Sequence, residues 1–334
     1  MGNRSCVHRL LTAAILVVGL VMAVSGCGSS TTTSGETPRR SFTLRVGFIS
    51  TGSNLGGPEG WAKNNGSLVT ALTPAGVTNI EWVSFDNGPK LAAAMLGGSV
   101  DVGILGDTPA LVARAAGLDA RLVNQTRINL DTWLFAQKSG GPTSIKDLAG
   151  RTVATQVGSY MYRYLLDVLN QAGIRDKVTV SNLYTPNAQA ALVRGDIAAY
   201  AAPAQIGPRL AAEGIPVIDK ASVSHHDLYG TSVTIATEKL IAAHPDLPAV
   251  WNKARAAAVI DITAHPDAYY AFDAGVLGLS AAEAREIDPL GSYSAQPFTT
   301  EGLALLTSTA RFLSAEKLAK NTVDVSSWQL TSPS

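Results

Sequence analysis

From position 42 onward, short apolar runs alternate with longer segments in which apolar residues return every three or four positions, the pattern of an α/β fold with a largely parallel sheet. Runs at 43–49, 79–85, 100–105 and 121–125 predict strands. Between them, 58–71, 89–96 and 108–116 predict helices, the last two opened by Pro89 and Pro109, which the first helical turn tolerates. A second series follows Pro142, with strands at 151–156, 177–183, 198–202 and 216–218 and helices at 159–172, 188–193 and 205–213. The rhythm is duplicated, giving two α/β units of similar size. Extended segments at 129–138 and 229–237 would carry the chain out and back. Lobe 1 is therefore expected at 42–132 and 229–334, and lobe 2 at 133–228. Helices predicted at 245–265, 266–277, 281–287 and 299–313 are expected to pack on the first unit. Two lobes joined by two extended strands have the geometry of a hinge-bending clamp.

The N-terminal pattern is different. Arg4, His8 and Arg9 precede an uncharged stretch at 10–24, too short to span a bilayer comfortably, so 1–26 reads as a signal peptide. Val24-Ser25-Gly26-Cys27 resembles the lipobox of bacterial lipoproteins. That resemblance implies cleavage before Cys27 and lipid on its thiol, holding the protein on the outer face of the cell membrane. The polar stretch that completes 27–41 would be a flexible tether. Of the 2 cysteines, Cys6 lies in the segment to be removed, so no internal disulfide is available and the core must supply the stability. Without the leader the chain carries 24 basic and 26 acidic residues, which excludes an electrostatic case for nucleic acid.

Several passages are family-like: LRVGF at 44–48, WVSFDNGP at 82–89, AAAMLGGSVDVG at 92–103, GDTP at 106–109, SIKDLAGRTVA at 144–154 and LVRGDI at 192–197. Their order and spacing over 44 to about 313 resemble the solute-binding proteins of the aliphatic sulfonate, taurine and nitrate family that serve ABC importers. The resemblance implies a type II periplasmic-binding-protein fold, with two lobes, a two-strand hinge and a helical C-terminal part. It also implies a small-molecule ligand in the interlobe cleft, a permease and its ATPase subunits as partners, a monomer, and no cofactor.

The residues themselves suggest how such a cleft would work. Asp107 or Thr108 can cap the helix begun at Pro109, and Ser159, after Gly158, can cap the helix through Tyr164. Two helix N-termini facing one cleft could hold an oxyanion with amides and hydroxyls. Ser53 and Asn54 lie in a glycine-rich loop at the carboxyl end of the first strand, where α/β sheets present ligands. Trp133, Tyr160, Tyr162 and Tyr229 are possible walls for an organic tail. Where family members often carry a tryptophan-aspartate-proline run, this chain has Pro203-Ala204-Gln205, which leaves Gln205 as a polar replacement and puts the familiar sulfonate in question. Nitrate, a carboxylate or a neutral aromatic or nitrogenous solute are the alternatives. Arg127 and Arg163 lie nearby in sequence, although solvated arginines are the commoner outcome.

Catalysis is not expected. The chain lacks Gly-x-Ser-x-Gly, His-Glu-x-x-His and a phosphate-binding loop, and its mature part has no cysteine pair for a metal. His225-His226-Asp227 stands out, but in a loop-like stretch before the return strand it reads as a solvated hinge segment. A related branch of the fold makes the thiamin pyrimidine and depends on cysteine and histidine features absent here.

Overall fold

The computed structural model describes residues 41–50 and 54–330. The leader, Cys27, the tether and Ser53 lie outside the described residues. The strands are β1 (Phe42–Ile49), β2 (Val77–Phe85), β3 (Val102–Gly106), β4 (Ala120–Leu130), β5 (Thr132–Ala136), β6 (Thr152–Thr155), β7 (Thr179–Asn182), β8 (Ala199–Pro203), β9 (Val217–Lys220) and β10 (Gly230–Thr237). The helices of the first half are α1 (Gly57–Asn64), α2 (Ser67–Leu72), α3 (Gly88–Leu96), α4 (Asp107–Ala115), α5 (Tyr160–Gln171), α6 (Thr185–Arg194), α7 (Gly207–Ala212) and α8 (Ala221–Ser224). The C-terminal part adds α9 (Glu238–Ala243), α10 (Leu247–Ala264), α11 (Pro266–Leu277), α12 (Ala281–Ile287), α13 (Thr300–Ala315) and α14 (Val325–Trp328).

The strands form two five-stranded sheets, β2-β1-β3-β10-β4 and β7-β6-β8-β5-β9. Each begins with three parallel strands and takes as its fourth member an antiparallel strand that has crossed from the other sheet. β5 arrives after β4 and β10 arrives after α8. Because Gly230 pairs with Leu130, the two crossings run side by side. The fold is thus the two-lobed α/β architecture expected from the sequence.

Apolar periodicity explains the cores. β1 and β3 bury Leu44, Val46, Phe48, Val102 and Ile104 against α10 and α2, as buried parallel strands do. On the other face of the first sheet, α3, α4 and α13 enclose Leu91, Leu111, Val233 and Leu306. In the second sheet Leu134, Val153, Ala199 and Ala201 pack on Tyr164, Leu165 and Leu169 of α5.

The structure departs from the sequence reading at four places. The single helix expected at 58–71 is broken at Asn65-Gly66, where Gly66 has φ 76°. β4 runs on past 125 to Leu130, and the outward crossing breaks at Asp131, whose carboxylate takes bonds from Ser222 N (2.9 Å), Ser222 Oγ (2.7 Å) and Trp133 Nε1 (2.8 Å). The C-terminal helices do not all pack on the first lobe. Tyr269 and Tyr270 stay with Ile262 and Trp61, but Ile287 at the end of α12 is buried in the second lobe's core with Ala204 and Leu210. Finally, α14 was not anticipated; it returns Trp328 to the first sheet, where Nε1 donates to Ala120 O at 2.9 Å.

Candidate interlobe binding site

The helix start whose cap matches the sequence expectation is that of α5. β6 ends at Thr155, the chain turns at Gly158 (φ 79°), and Ser159 takes an extended backbone. Its Oγ donates to Gln156 O (2.6 Å) and accepts from Tyr162 N (3.3 Å), so Ser159 is the N-cap. Tyr160 and Met161, in the first turn, have amides with no carbonyl inside the helix. The Tyr160 ring lies against the return crossing. A Cβ on Gly230 would fall 2.5 Å from Tyr160 Cβ and 2.7 Å from Cδ2. Burial raises the Tyr160 phenol above its ordinary pKa against the pull of Arg127, so it stays neutral and able to donate.

α4 is arranged otherwise. Its N-cap is Gly106 without a side-chain cap, so neither Asp107 nor Thr108 caps it as expected. Both are fully buried at 0% exposure. Asp107 Oδ1 accepts from Thr108 N (2.5 Å) and Thr108 Oγ1 (3.0 Å), while Oδ2 accepts from Thr231 N (2.9 Å), Thr231 Oγ1 (3.2 Å) and Thr309 Oγ1 (3.2 Å). Pro109 has no N–H. The helix end is therefore already occupied by the protein's own carboxyl. Burial raises the Asp107 pKa, and Arg163 opposes the shift.

Arg163 is not a solvated arginine. From α5 its guanidinium donates to Thr309 Oγ1 (3.1 Å) and Ser308 Oγ (3.0 Å) on α13, and to Asp227 O (2.9 Å) and Tyr229 O (3.3 Å) at the return crossing. It ties the second lobe to the first at the hinge.

Arg127 is likewise committed. Nε lies 3.1 Å from Asp288 Oδ1, and a terminal nitrogen donates to Ile287 O at 2.5 Å. Asp288 also accepts from Tyr269 Oη (2.8 Å) and Tyr293 Oη (2.8 Å). Beside it lies Asp273, 1% exposed, with Oδ1 against Gly56 of the loop between β1 and α1. Burial and then Asp288 push Asp273 up to about 8, against Arg127. Sequence reasoning missed this cluster because α11, which carries Tyr269 and Asp273, the segment with Asp288 and Tyr293, and Arg127 of β4 come together only in the tertiary fold.

The remaining expected residues differ in exposure. Asn54 is exposed, while Gln205 and Tyr229 are half-buried at the carboxyl end of β8 and at the return crossing. Trp133 is a core residue of the second lobe: its indole bonds Asp131 and the Lys220 ammonium sits 3.2 Å from its ring centroid. The carboxyl ends of β1 and β6 and the start of α6 expose apolar side chains that the sequence reading did not single out: Ile49 (37%), Val157 (37%) and Tyr184 (41%). His225 lies 3.4 Å from Asp219 and His226 bonds Ser222 O, and no group of three or more metal-ligating side chains occurs among the described residues.

A family model described as "NMT1/THI5 like" matches residues 81–269. The chain belongs to the NMT1/THI5-like family. Among its relatives, a protein of Escherichia coli (strain K12) named as an aliphatic sulfonates-binding protein is 36% identical over 127 residues. That match spans 37% of this chain and 40% of the relative, so this chain matches less than half of that protein's length. The NMT1/THI5-like fold seen here is shared with the alkanesulfonate-binding protein from Xanthomonas axonopodis pv. citri, solved bound to MOPS: 24% identity, TM-score 0.72, covering 87% of this chain and 99% of that one. It is shared also with a desulfurization enzyme: 18% identity, TM-score 0.67, covering 86% and 96%. At these identities the structures speak for the fold alone.

Proposed function

We propose that this NMT1/THI5-like protein is the extracytoplasmic solute receptor of an ABC importer, trapping a small sulfonate or related oxyanion between lobe 1 (42–132 and 229–334) and lobe 2 (133–228). The observation that carries the reading is the start of α5, where Ser159 caps and Tyr160 leans on Gly230 beside the two crossings. An anionic head group would sit at the first-turn amides of α5 with the Tyr160 hydroxyl and Gln205 near it. An organic tail would lie on Ile49, Val157 and Tyr184. Asn54, exposed beyond β1, would meet it from lobe 1. Asp107 and Thr108 would act by positioning α4 and β10, because their polar atoms are engaged with one another and with Thr231 and Thr309. The sulfonate names of the relative and the Xanthomonas structure favour the same class of ligand.

A neutral solute is the second reading, and a specific observation favours it: α4 already carries a carboxyl at its N-terminus, so the site offers an incoming anion one helix end rather than two. Turnover is not expected, since the described cleft residues supply no cysteine and the His225 and His226 rings are engaged with Asp219 and Ser222. The importer reading adds a location. Cleavage before Cys27 and lipid on its thiol would keep a monomeric receptor on the outer face of the membrane, near the permease and its ATPase subunits.

Thermal-shift and calorimetric titration with alkanesulfonates, taurine, nitrate, carboxylates and uncharged heterocycles tests the ligand class, with stabilisation by a sulfonate expected. Stabilisation by heterocycles and by no anion would exchange the first reading for the second. Cys27→Ser should release the protein from the membrane with ligand binding intact.

A further inference from the structure

Two carboxyls and one guanidinium meet behind the loop that leads from β1 into the cleft. Asp288 is supplied as a carboxylate by two phenol hydroxyls, with Arg127 Nε 3.1 Å away as its counter-charge. Asp273 is not. Written as a carboxylate, its Oδ2 is buried without a partner. A proton on Asp273 supplies that partner through a bond to Asp288, and it balances the charge at one anion and one cation.

Among the described residues the other cation near the cluster is Arg285, which lies over the Tyr270 ring at 4.3 Å and pairs with Asp267. Arg127 faces the pair from β4, Tyr269 and Tyr270 belong to α11, and Tyr293 follows α12. From α5, Tyr160 lies within the field of Arg127. On α1, the buried Glu59 is paired with Arg255 at 3.0 Å. The pair also touches the loop directly: Asp273 Oδ1 is 3.2 Å from where a Cβ of Gly56 would stand, and Tyr293 Oη is 3.3 Å from that of Gly57.

We propose that the Asp273–Asp288 pair holds a single proton at neutral pH and braces the Gly56-Gly57 backbone through it, so that ligand retention in the cleft falls when that proton is lost at alkaline pH. This rests on the receptor reading given above. Without the proton two adjacent carboxylates repel, the Asp273 carboxyl beside Gly56 becomes negative, and that charge would disfavour an anionic ligand in the cleft. Burial and the Asp288 charge together hold the proton on Asp273 well above the usual carboxylate range.

The test uses butanesulfonate, whose own charge is constant with pH, titrated calorimetrically into wild type and Asp273→Asn at intervals from about pH 6.5 to about pH 9.5. Expected are a roughly tenfold or greater rise in wild-type Kd across the range, a flat profile for Asp273→Asn, and an affinity of the variant near that of wild type at the acid end. Circular dichroism at each pH keeps folding separate from binding. Infrared difference spectra supply a second readout, in which the carboxylic-acid band present in wild type at neutral pH is lost in Asp273→Asn and titrates away in alkali. Binding at the acid end that stays flat in wild type, or that falls equally in the variant, overturns this coupling and leaves the receptor reading standing. No butanesulfonate binding at any pH overturns the sulfonate reading and the coupling with it. Absence of the infrared band overturns the shared proton and the coupling built on it, and leaves the receptor reading standing.

Discussion

Gly230→Ala is the sharpest probe of how the lobes are joined. Gly230 is not among the positive-φ glycines, so alanine brings no backbone strain, and the whole effect comes from one methyl group. That methyl would stand 2.5–2.7 Å from Tyr160 Cβ and Cδ2, whereas ordinary carbon contacts lie at about 3.5–4.0 Å. Tyr160 must therefore retreat by about 1 Å, and because it is the first residue of α5, the cap at Ser159 moves with it. Overpacking of this kind costs about 1–3 kcal/mol. If the cost falls on the liganded arrangement of the lobes, apparent affinity drops by the same factor, about five- to 150-fold. Gly103→Ala serves as the control. Its methyl would press Met95 Sδ (2.5 Å) and Leu91 Cδ2 (2.8 Å) inside the first lobe, away from the crossings. Calorimetric titration with a sulfonate, alongside thermal unfolding, separates the two variants. Gly230→Ala should lose affinity and Gly103→Ala only stability. Equal affinities in the two would refute the reasoning that the Tyr160 contact at the crossing controls binding.

Arg163→Met removes the buried guanidinium while keeping bulk; with Thr309, Ser308 and two hinge carbonyls left undersupplied, stability should fall by about 3–5 kcal/mol, measured by urea unfolding. Asp273→Asn should change the pH dependence of stability. The native Asp273 pKa is raised from 3.8 to about 8, so ionisable Asp273 costs the fold nothing below that lower value, progressively more as pH rises through the window, and a constant amount above it. The variant should accordingly gain on wild type by up to about 1.4 kcal/mol per pH unit within the window, read from urea midpoints at a series of pH values. Trp328→Ala empties a site that is 1% exposed and strips the donor to Ala120 O, which should cost about 3–5 kcal/mol in the same unfolding measurement.

Much of the fold was legible in the sequence because strand and helix periods are local. The runs at 43–49 and 198–202 and the helices at 266–277 and 281–287 were fixed by apolar spacing and by Pro, Ser or Thr starts, and the structure moves their ends by a residue or none. The Ser159 cap was readable for the same reason: a cap is a contact between residues three apart. At α4 the same rule misled, because the Asp107 carboxyl is drawn away from a capping role by Thr231 and Thr309, 124 and 202 residues distant. No periodicity reports that pull. Arg127 meeting Asp288, Asp273 behind Gly56, Arg163 bridging to α13, and Ile287 buried in the opposite lobe are all pairings between elements far apart in the chain. Sequence alone determined the family, the two-lobed rhythm and the short-range caps. Tertiary structure decided which charges are spent inside the protein and which groups are left to meet a ligand, because burial and long-range pairing depend on how the lobes come together rather than on the spacing of neighbours.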